Sequence, residues 1–242
     1  MKKFLLIAVL IFMSAGAARA ENVTVELVSD HVDITTGFNG TTLGLFGVRA
    51  NKGDIAVIVK GPLRTMSVRR KESVIGAWIN RSFETFKAVP SYYNYALSRP
   101  IQDLAPLETL MEHGIGPENL RFNKPDTTDE QRIAFRDALL RNKKMQGLYP
   151  AEPGAIKFIG PNFFRADFYI PANVPVGEYE IQTLYFSGGV LRDSKTSTVR
   201  VAQVGGSARI NQFAHGNSFV YGVMCVLLAV FAGWFSNRVR RG

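Results

Sequence analysis

The side chains that most often perform chemistry are few in this chain and far apart. It has three histidines and one cysteine among 242 residues. His31 lies beside Asp30 and Asp33 in SDHVD, and these residue types bind metals, but no second histidine or cysteine lies nearby. A solvated strand edge is the favoured interpretation, and we predict no metal site.

The remaining histidines and the cysteine are isolated from one another. His113 precedes Gly114 at a predicted helix end, and His215 comes just before an apolar segment that contains Cys225. The chain has no His-Glu-x-x-His and no Gly-x-Ser-x-Gly motif. We therefore predict no cofactor and no enzyme activity, with a hydrolase assembled from distant residues as the least favoured alternative.

The glycine-rich stretch ITTGFNGTTLGLFG, residues 34–47, raises the question of a phosphate-binding loop. A Walker loop ends in Gly-Lys-Ser/Thr, and a dinucleotide fingerprint opens a helix with Gly-x-Gly-x-x-Gly; neither pattern is present. Asn39-Gly40, between Phe38 and Thr41, is typical of a tight β-hairpin instead. The stretch predicts a turn and strands.

Arg69, Arg70 and Lys71 form a compact basic group. In a strand, Arg69 and Lys71 share one face. Such a face suits lipid headgroups or an acidic partner. The favoured alternative is charge that protects an edge strand from pairing with another chain.

The first twenty residues have the pattern of a secretory signal peptide. Lys2 and Lys3 precede an apolar run over residues 4–13, and Ala-Arg-Ala at 18–20 fits a cleavage site. We expect the mature chain to start at Glu21, with a retained N-terminal anchor as the alternative.

A second apolar segment, Phe219 to Phe235, holds no charge in 17 residues. Three arginines follow it, at 238, 240 and 241, and mark a cytoplasmic end. We predict a transmembrane helix over 218–236 in the lipid bilayer and a cytoplasmic tail over 237–242, with a buried core helix as the alternative. The body then lies in the periplasm of a bacterium, anchored to the inner membrane by a single helix.

Small residues recur along this segment at Gly222, Cys225, Ala229 and Gly233. A stripe of small residues lets a second helix approach closely. It predicts packing against another membrane protein, although glycine and alanine are common in such helices.

The net charge of +9 gives little reason to expect a nucleic-acid partner. Six of the 29 basic residues lie in the leader and the tail, so 23 basic residues face 20 acidic ones in the body. We predict no nucleic-acid binding.

The body, 21–203, reads as short strands separated by glycine and proline turns, which favours an antiparallel, immunoglobulin-like β-sandwich. A helical insertion is predicted at about 90–148, with helices between Pro90 and Pro100, over 106–113 and from Thr128 to Leu148. Residues 204–217 are predicted to be a linker. The fold prediction is therefore mainly β, with a helical insertion and one C-terminal transmembrane helix.

In combination, the signal peptide, ITTGFNGTTLGLFG, VKGP, VRRKESVIGAWIN, YYNYALSRP and the C-terminal helix resemble the alphaproteobacterial putative transmembrane protein family. The resemblance covers the exported body and its anchor. It implies an inner-membrane protein with a periplasmic domain, no catalytic residues to carry over, and a transporter of the sulfite exporter type as a partner.

Two functions follow as hypotheses. The first is an accessory protein whose helix packs against a multi-pass membrane protein. The second is a tethered module that binds a small ligand between the sandwich and the tyrosine-rich stretch at Tyr92, Tyr93 and Tyr95.

Overall fold

The structure is a computed structural model, and it describes residues 22–74, 77–122, 129–205 and 218–239. Side chains are described for these residues except 70–74, 77–82, 129, 218 and 235–239. The predicted signal peptide, most of the predicted linker and the end of the predicted tail lie outside the described residues.

Twelve strands are found in the described part of the chain. They are β1 Val23–Leu27, β2 His31–Ile34, β3 Thr41–Arg49, β4 Asp54–Lys60, β5 Leu63–Val74, β6 Ala77–Pro90, β7 Tyr93–Leu97, β8 Gly154–Ala155, β9 Lys157–Ile159, β10 Phe163–Ile170, β11 Gly177–Ser187 and β12 Val190–Gln203. The helices are α1 Ile101–Leu104, α2 Leu107–His113, α3 Asp129–Met145 and α4 Ser218–Val239, with a 3-10 turn at Pro117–Asn119.

The strands form two large sheets and one separate hairpin. The first sheet has the order β1-β3-β10-β9, and all its pairs are antiparallel. The second has the order β2-β12-β11-β4-β7-β8, with parallel pairs at both edges. The mainly β prediction is confirmed, whereas a purely antiparallel arrangement is wrong for the second sheet. The immunoglobulin-like sandwich stays a prediction.

Alternation along the strands builds the core between these sheets. On β10 and β11, every second side chain is buried: Phe164, Ala166, Phe168, Ile170, Tyr179, Ile181, Thr183 and Tyr185. The seven apolar members of this set belong to one hydrophobic cluster that draws on both sheets. These buried faces follow from the alternation of apolar residues along the strands, because side chains of a strand point to opposite sides in turn.

The predicted hairpin at Asn39-Gly40 is wrong. β2 pairs with β12 in the second sheet, while β3 pairs with β1 and β10 in the first. Gly40 does have the positive φ, 106°, that a tight hairpin turn requires. A side chain there would collide with Tyr169, since a Cβ would lie 2.5 Å from its hydroxyl. The turn therefore carries the chain from one sheet to the other.

Two of the three predicted helices are confirmed. α2 ends at Gly114, whose φ of 64° is left-handed and whose N–H donates to the carbonyl of Leu110. α3 occupies most of the predicted range from Thr128 to Leu148.

The helix predicted between Pro90 and Pro100 is wrong. This segment forms β7, which pairs with β4 and β8. Tyrosines at 93 and 95 favour a pleated, half-buried surface, and pairing with a long neighbouring strand outweighs the helical signal of the flanking prolines. The insertion is therefore helical only from Ile101 onward.

β5 ends at Val74, β6 begins at Ala77, and the two strands pair with each other. The long β5–β6 hairpin has its own small core against α3. Phe86 and Val89 of β6 pack there with Phe135 and Leu139 of α3. This second cluster fixes the root of the hairpin beside the helical layer.

Candidate functional site

The basic group predicted as a contact surface lies on β5. Arg69 is exposed and pairs in register with Phe83. Arg70 and Lys71 pair with Ser82 and Asn80 across a register shift, and their side chains lie outside those described. The structure thus places all three on the free-standing hairpin, away from the two large sheets.

The histidines form no metal site with other described residues. His31 Nδ1 lies 2.8 Å from Asp30 Oδ1, and both side chains are exposed. The hydrogen bond to Asp30, together with the charge of Asp33, raises the pKa of His31. No group of three metal-ligating side chains is found within the described ranges. His215 lies outside them.

The tyrosines predicted to line a ligand pocket fill the interior instead. Tyr92 and Tyr93 are buried, and their hydroxyls donate to the carbonyls of Tyr169 at 2.7 Å and Gly114 at 2.8 Å. The Tyr93 hydroxyl also accepts a hydrogen bond from the N–H of Gly116 at 2.8 Å. Burial raises the pKa of Tyr92 to about 12. The Tyr92 hydroxyl connects the residue before β7 to the first sheet, and the Tyr93 hydroxyl connects β7 to the helical layer, so their role is structural.

An open groove lies next to these tyrosines, over the outer face of the second sheet. Its volume is about 580 Å³. Its floor is formed by side chains of β4, β11 and β12, and its walls by the start of β5, the end of β6, the end of α2 and the residues after it. Its lining includes Lys60, Leu63, Met111, Arg121, Glu178 and Glu180.

Lys60 is the cation on the floor of this groove. Its Nζ donates to the carbonyl of His113 at 3.2 Å, and no ion pair joins it to a carboxylate among the described residues. Burial lowers the pKa of Lys60, and the charge of Glu180 opposes that effect. Glu180 is its register partner on β11. The groove therefore contains a half-buried ammonium whose hydrogen-bonding capacity is mostly unused.

Glutamates supply the opposite charge on the same floor. Glu178 and Glu180 are both exposed and both line the groove. Two residues apart on β11, they point to the same side of the sheet. No sequence motif marked this arrangement, because its members come from four separate segments; the outward glutamates of the alternating β11 pattern were the only available signal.

The C-terminal helix presents a surface of a different kind. All its described side chains, Phe219 to Trp234, are exposed, including the predicted packing residues Gly222, Cys225, Ala229 and Gly233. At 100° per residue, these four lie on one face, and the larger Met224, Leu227 and Phe231 lie on the opposite face. The helix therefore has a narrow side and a bulky side.

Within the residues that the structure describes, no helix meets the combined length and apolarity of a membrane span.

The fold and these surfaces define a class of protein: a mainly β domain with a helical layer, joined through residues 204–217 to an apolar C-terminal helix. The chain belongs to the alphaproteobacterial family described as "putative transmembrane protein", which it matches over residues 22–241. The description points to a membrane protein and states no activity. A search of curated proteins gave no match.

Proposed function

We propose that this chain is an accessory protein of the bacterial inner membrane. In this proposal, the signal peptide directs export, the β domain lies in the periplasm, α4 lies in lipid, and the C-terminus is cytoplasmic. The partner is a multi-pass membrane protein, and the family resemblance implies a transporter of the sulfite exporter type.

The observation that carries the proposal is the exposure of α4. Large apolar side chains such as Leu227, Leu228 and Phe231 are 62–63% exposed. A contiguous apolar surface of this size is a contact surface for lipid or for another protein. The family's description as a transmembrane protein supports the lipid environment.

The two faces of α4 are expected to contact different neighbours. Van der Waals packing drives helix association within lipid, so small residues allow the closest approach. The face with Gly222, Cys225, Ala229 and Gly233 is therefore the side for a partner helix, and the bulky side faces the acyl chains.

Photo-crosslinking in intact membranes tests this assignment. A crosslinker at residue 226, beside the small-residue face, is expected to capture one multi-pass membrane protein, and the double variant Ala229→Leu, Gly233→Leu is expected to lose that product. The control is Met224→Leu, Phe231→Leu, which introduces the same residue type on the opposite face. Equal capture by both double variants, or capture of no membrane protein, would contradict the proposal.

Ligand binding in the periplasm is the second candidate function. The observation that favours it is the groove with Lys60 on its floor, and not the tyrosine stretch where the sequence placed the ligand. A hydrolase stays the least favoured alternative, and the absence of enzyme activity stays a prediction.

A further inference from the structure

The groove has features that neither membrane anchoring nor packing of the β domain requires. It combines a half-buried cation, carboxylates and exposed apolar side chains around one open volume. We propose that it binds a small zwitterion with an apolar middle, of the kind that a short peptide with free termini represents. This inference rests on the second candidate function and is independent of the partner of α4.

Lys60 and Arg121 provide the site for the negative end. A carboxylate bound at Lys60 Nζ would use donors that the single hydrogen bond to His113 leaves available. Charge-assisted hydrogen bonds are short and roughly twice as strong as neutral ones. Arg121 is exposed on the adjacent wall and adds a second cation.

Glu178 and Glu180 provide the site for the positive end. With Glu112, they give the groove three carboxylates against the two cations. A simple anion would meet this excess of negative charge, whereas a ligand with both charges finds a partner for each. This balance of charge is the reason that we infer a zwitterion.

Exposed apolar side chains also line the groove. Leu63 is 63% and Met111 is 39% exposed, and both line the groove. Apolar surface that a ligand covers adds about 25 cal/mol per Å² to binding. A ligand with an apolar segment between its charged ends would cover both residues.

The groove has a suitable size and a firm floor. Its volume of about 580 Å³ lies within the range of roughly 300–1,000 Å³ that small-ligand sites occupy. β4 and β11 are interior strands of the six-stranded sheet, each paired on both sides. Side chains on such strands are held more precisely than those on loops.

The test uses the full chain in lipid nanodiscs and four forms of one peptide, Ala-Leu-Ala. The peptide has free termini, an acetylated N-terminus, an amidated C-terminus or both modifications. Binding is followed through the ¹³C-methyl signals of methionine. Met111 lines the groove and Met145 does not, so Met145 is the internal control.

The free peptide is expected to shift the Met111 signal and leave the Met145 signal in place. Blocking either terminus is expected to weaken binding about tenfold, the effect of losing one charge-assisted contact. Equal affinity for all four peptides, or no shift of Met111, would overturn the proposal.

Substitutions then assign each charge to a residue. In Lys60→Gln, amidation of the peptide is expected to have no further effect, while Lys60→Arg retains the discrimination. In Glu178→Gln, Glu180→Gln, acetylation is expected to have no further effect. Lys157→Gln, an exposed lysine on β9, is the control. Discrimination that persists in Lys60→Gln would contradict the assignment of that residue.

These results are distinguishable from those of the crosslinking experiment. Crosslinking reports on the face of α4 that contacts a partner, and the peptide titration reports on the groove. Failure of peptide binding with intact capture would leave the accessory role and remove the ligand.

Discussion

The β domain and α4 contain side chains of the same apolar types, but these side chains are buried in the β domain and exposed in α4. Phe168 of β10 is 1% exposed, whereas Phe231 of α4 is 62% exposed. Both residues are phenylalanines, so side-chain type alone does not explain the difference. Their surroundings do: the sheets close their apolar faces against each other, and every described side chain of α4 is exposed.

The two regions therefore obtain their stability from different sources. The β domain stabilises itself by removing apolar side chains from water. α4 gains nothing comparable from the rest of the described chain, so its apolar surface requires lipid or another protein. Matched substitutions in the two regions measure this contrast directly.

The largest contrast is expected for phenylalanine truncation. Phe168→Ala should lower the free energy of unfolding of the β domain by about 3–5 kcal/mol, because it removes a fully buried ring and leaves a cavity. Phe231→Ala should leave that free energy unchanged. Guanidinium unfolding of the full chain in detergent, followed by near-ultraviolet circular dichroism, measures the free energy of unfolding of both variants. Equal losses of free energy in the two variants would contradict the difference between the regions.

A smaller contrast is expected for glycine. The ring of Phe164 lies over Gly47, in the space that a Cβ would occupy. Gly47→Ala should cost about 3 kcal/mol, at the upper end of overpacking, since the buried ring has little room to move. Nothing lies within 4 Å of a Cβ at Gly222, so Gly222→Ala should not destabilise the chain. Guanidinium unfolding measures both variants, and an unchanged free energy of unfolding in Gly47→Ala would contradict the close packing of Phe164 on Gly47.

The next effect in size is expected for the hydrogen bonds of a buried tyrosine hydroxyl in the β domain. Tyr93→Phe should cost about 2 kcal/mol, because it leaves the carbonyl of Gly114 and the N–H of Gly116 buried without their partner. The control, Tyr169→Phe, removes an exposed hydroxyl and should cost less than about 0.5 kcal/mol. Equal costs would show that the Tyr93 hydroxyl is not structural.

The smallest expected effect is at the surface, at His31. Its pKa is raised in the folded state, so its contribution to stability is fully present below the ordinary value of 6.5 and is lost as the pH rises through the folded pKa. Wild type and His31→Gln should differ more at pH 5.5 than at pH 8. A difference that grows with pH would have the wrong sign.

The sequence predicted the elements whose local signals agree with their final environment. Glycine and proline turns indicated a mainly β body, and Gly114 indicated the end of α2. The errors arose where pairing with strands distant in sequence, and not the local sequence, determines the structure. Asn39-Gly40 has the conformation of a tight turn, but β2 and β3 pair in different sheets.

The candidate site was less predictable than the fold. Lys60, Met111 and Glu180 are separated by 51 residues or more in sequence and meet only because β4 and β11 pair and α2 lies over them. The sequence predicted a ligand site at Tyr92 and Tyr93, but their hydroxyls form hydrogen bonds with backbone groups. A groove assembled by topology leaves no local pattern in a sequence.

The most direct test of the central proposal, that α4 lies in lipid while the β domain faces the periplasm, uses the chain's single cysteine. Spheroplasts are treated with a membrane-impermeant maleimide, and Cys225 is compared with Lys157→Cys in a Cys225→Ser background. Position 157 is expected to be labelled at once, and Cys225 is expected to be labelled only after SDS is added. Rapid labelling of Cys225 in intact spheroplasts, or protection of position 157, would contradict it.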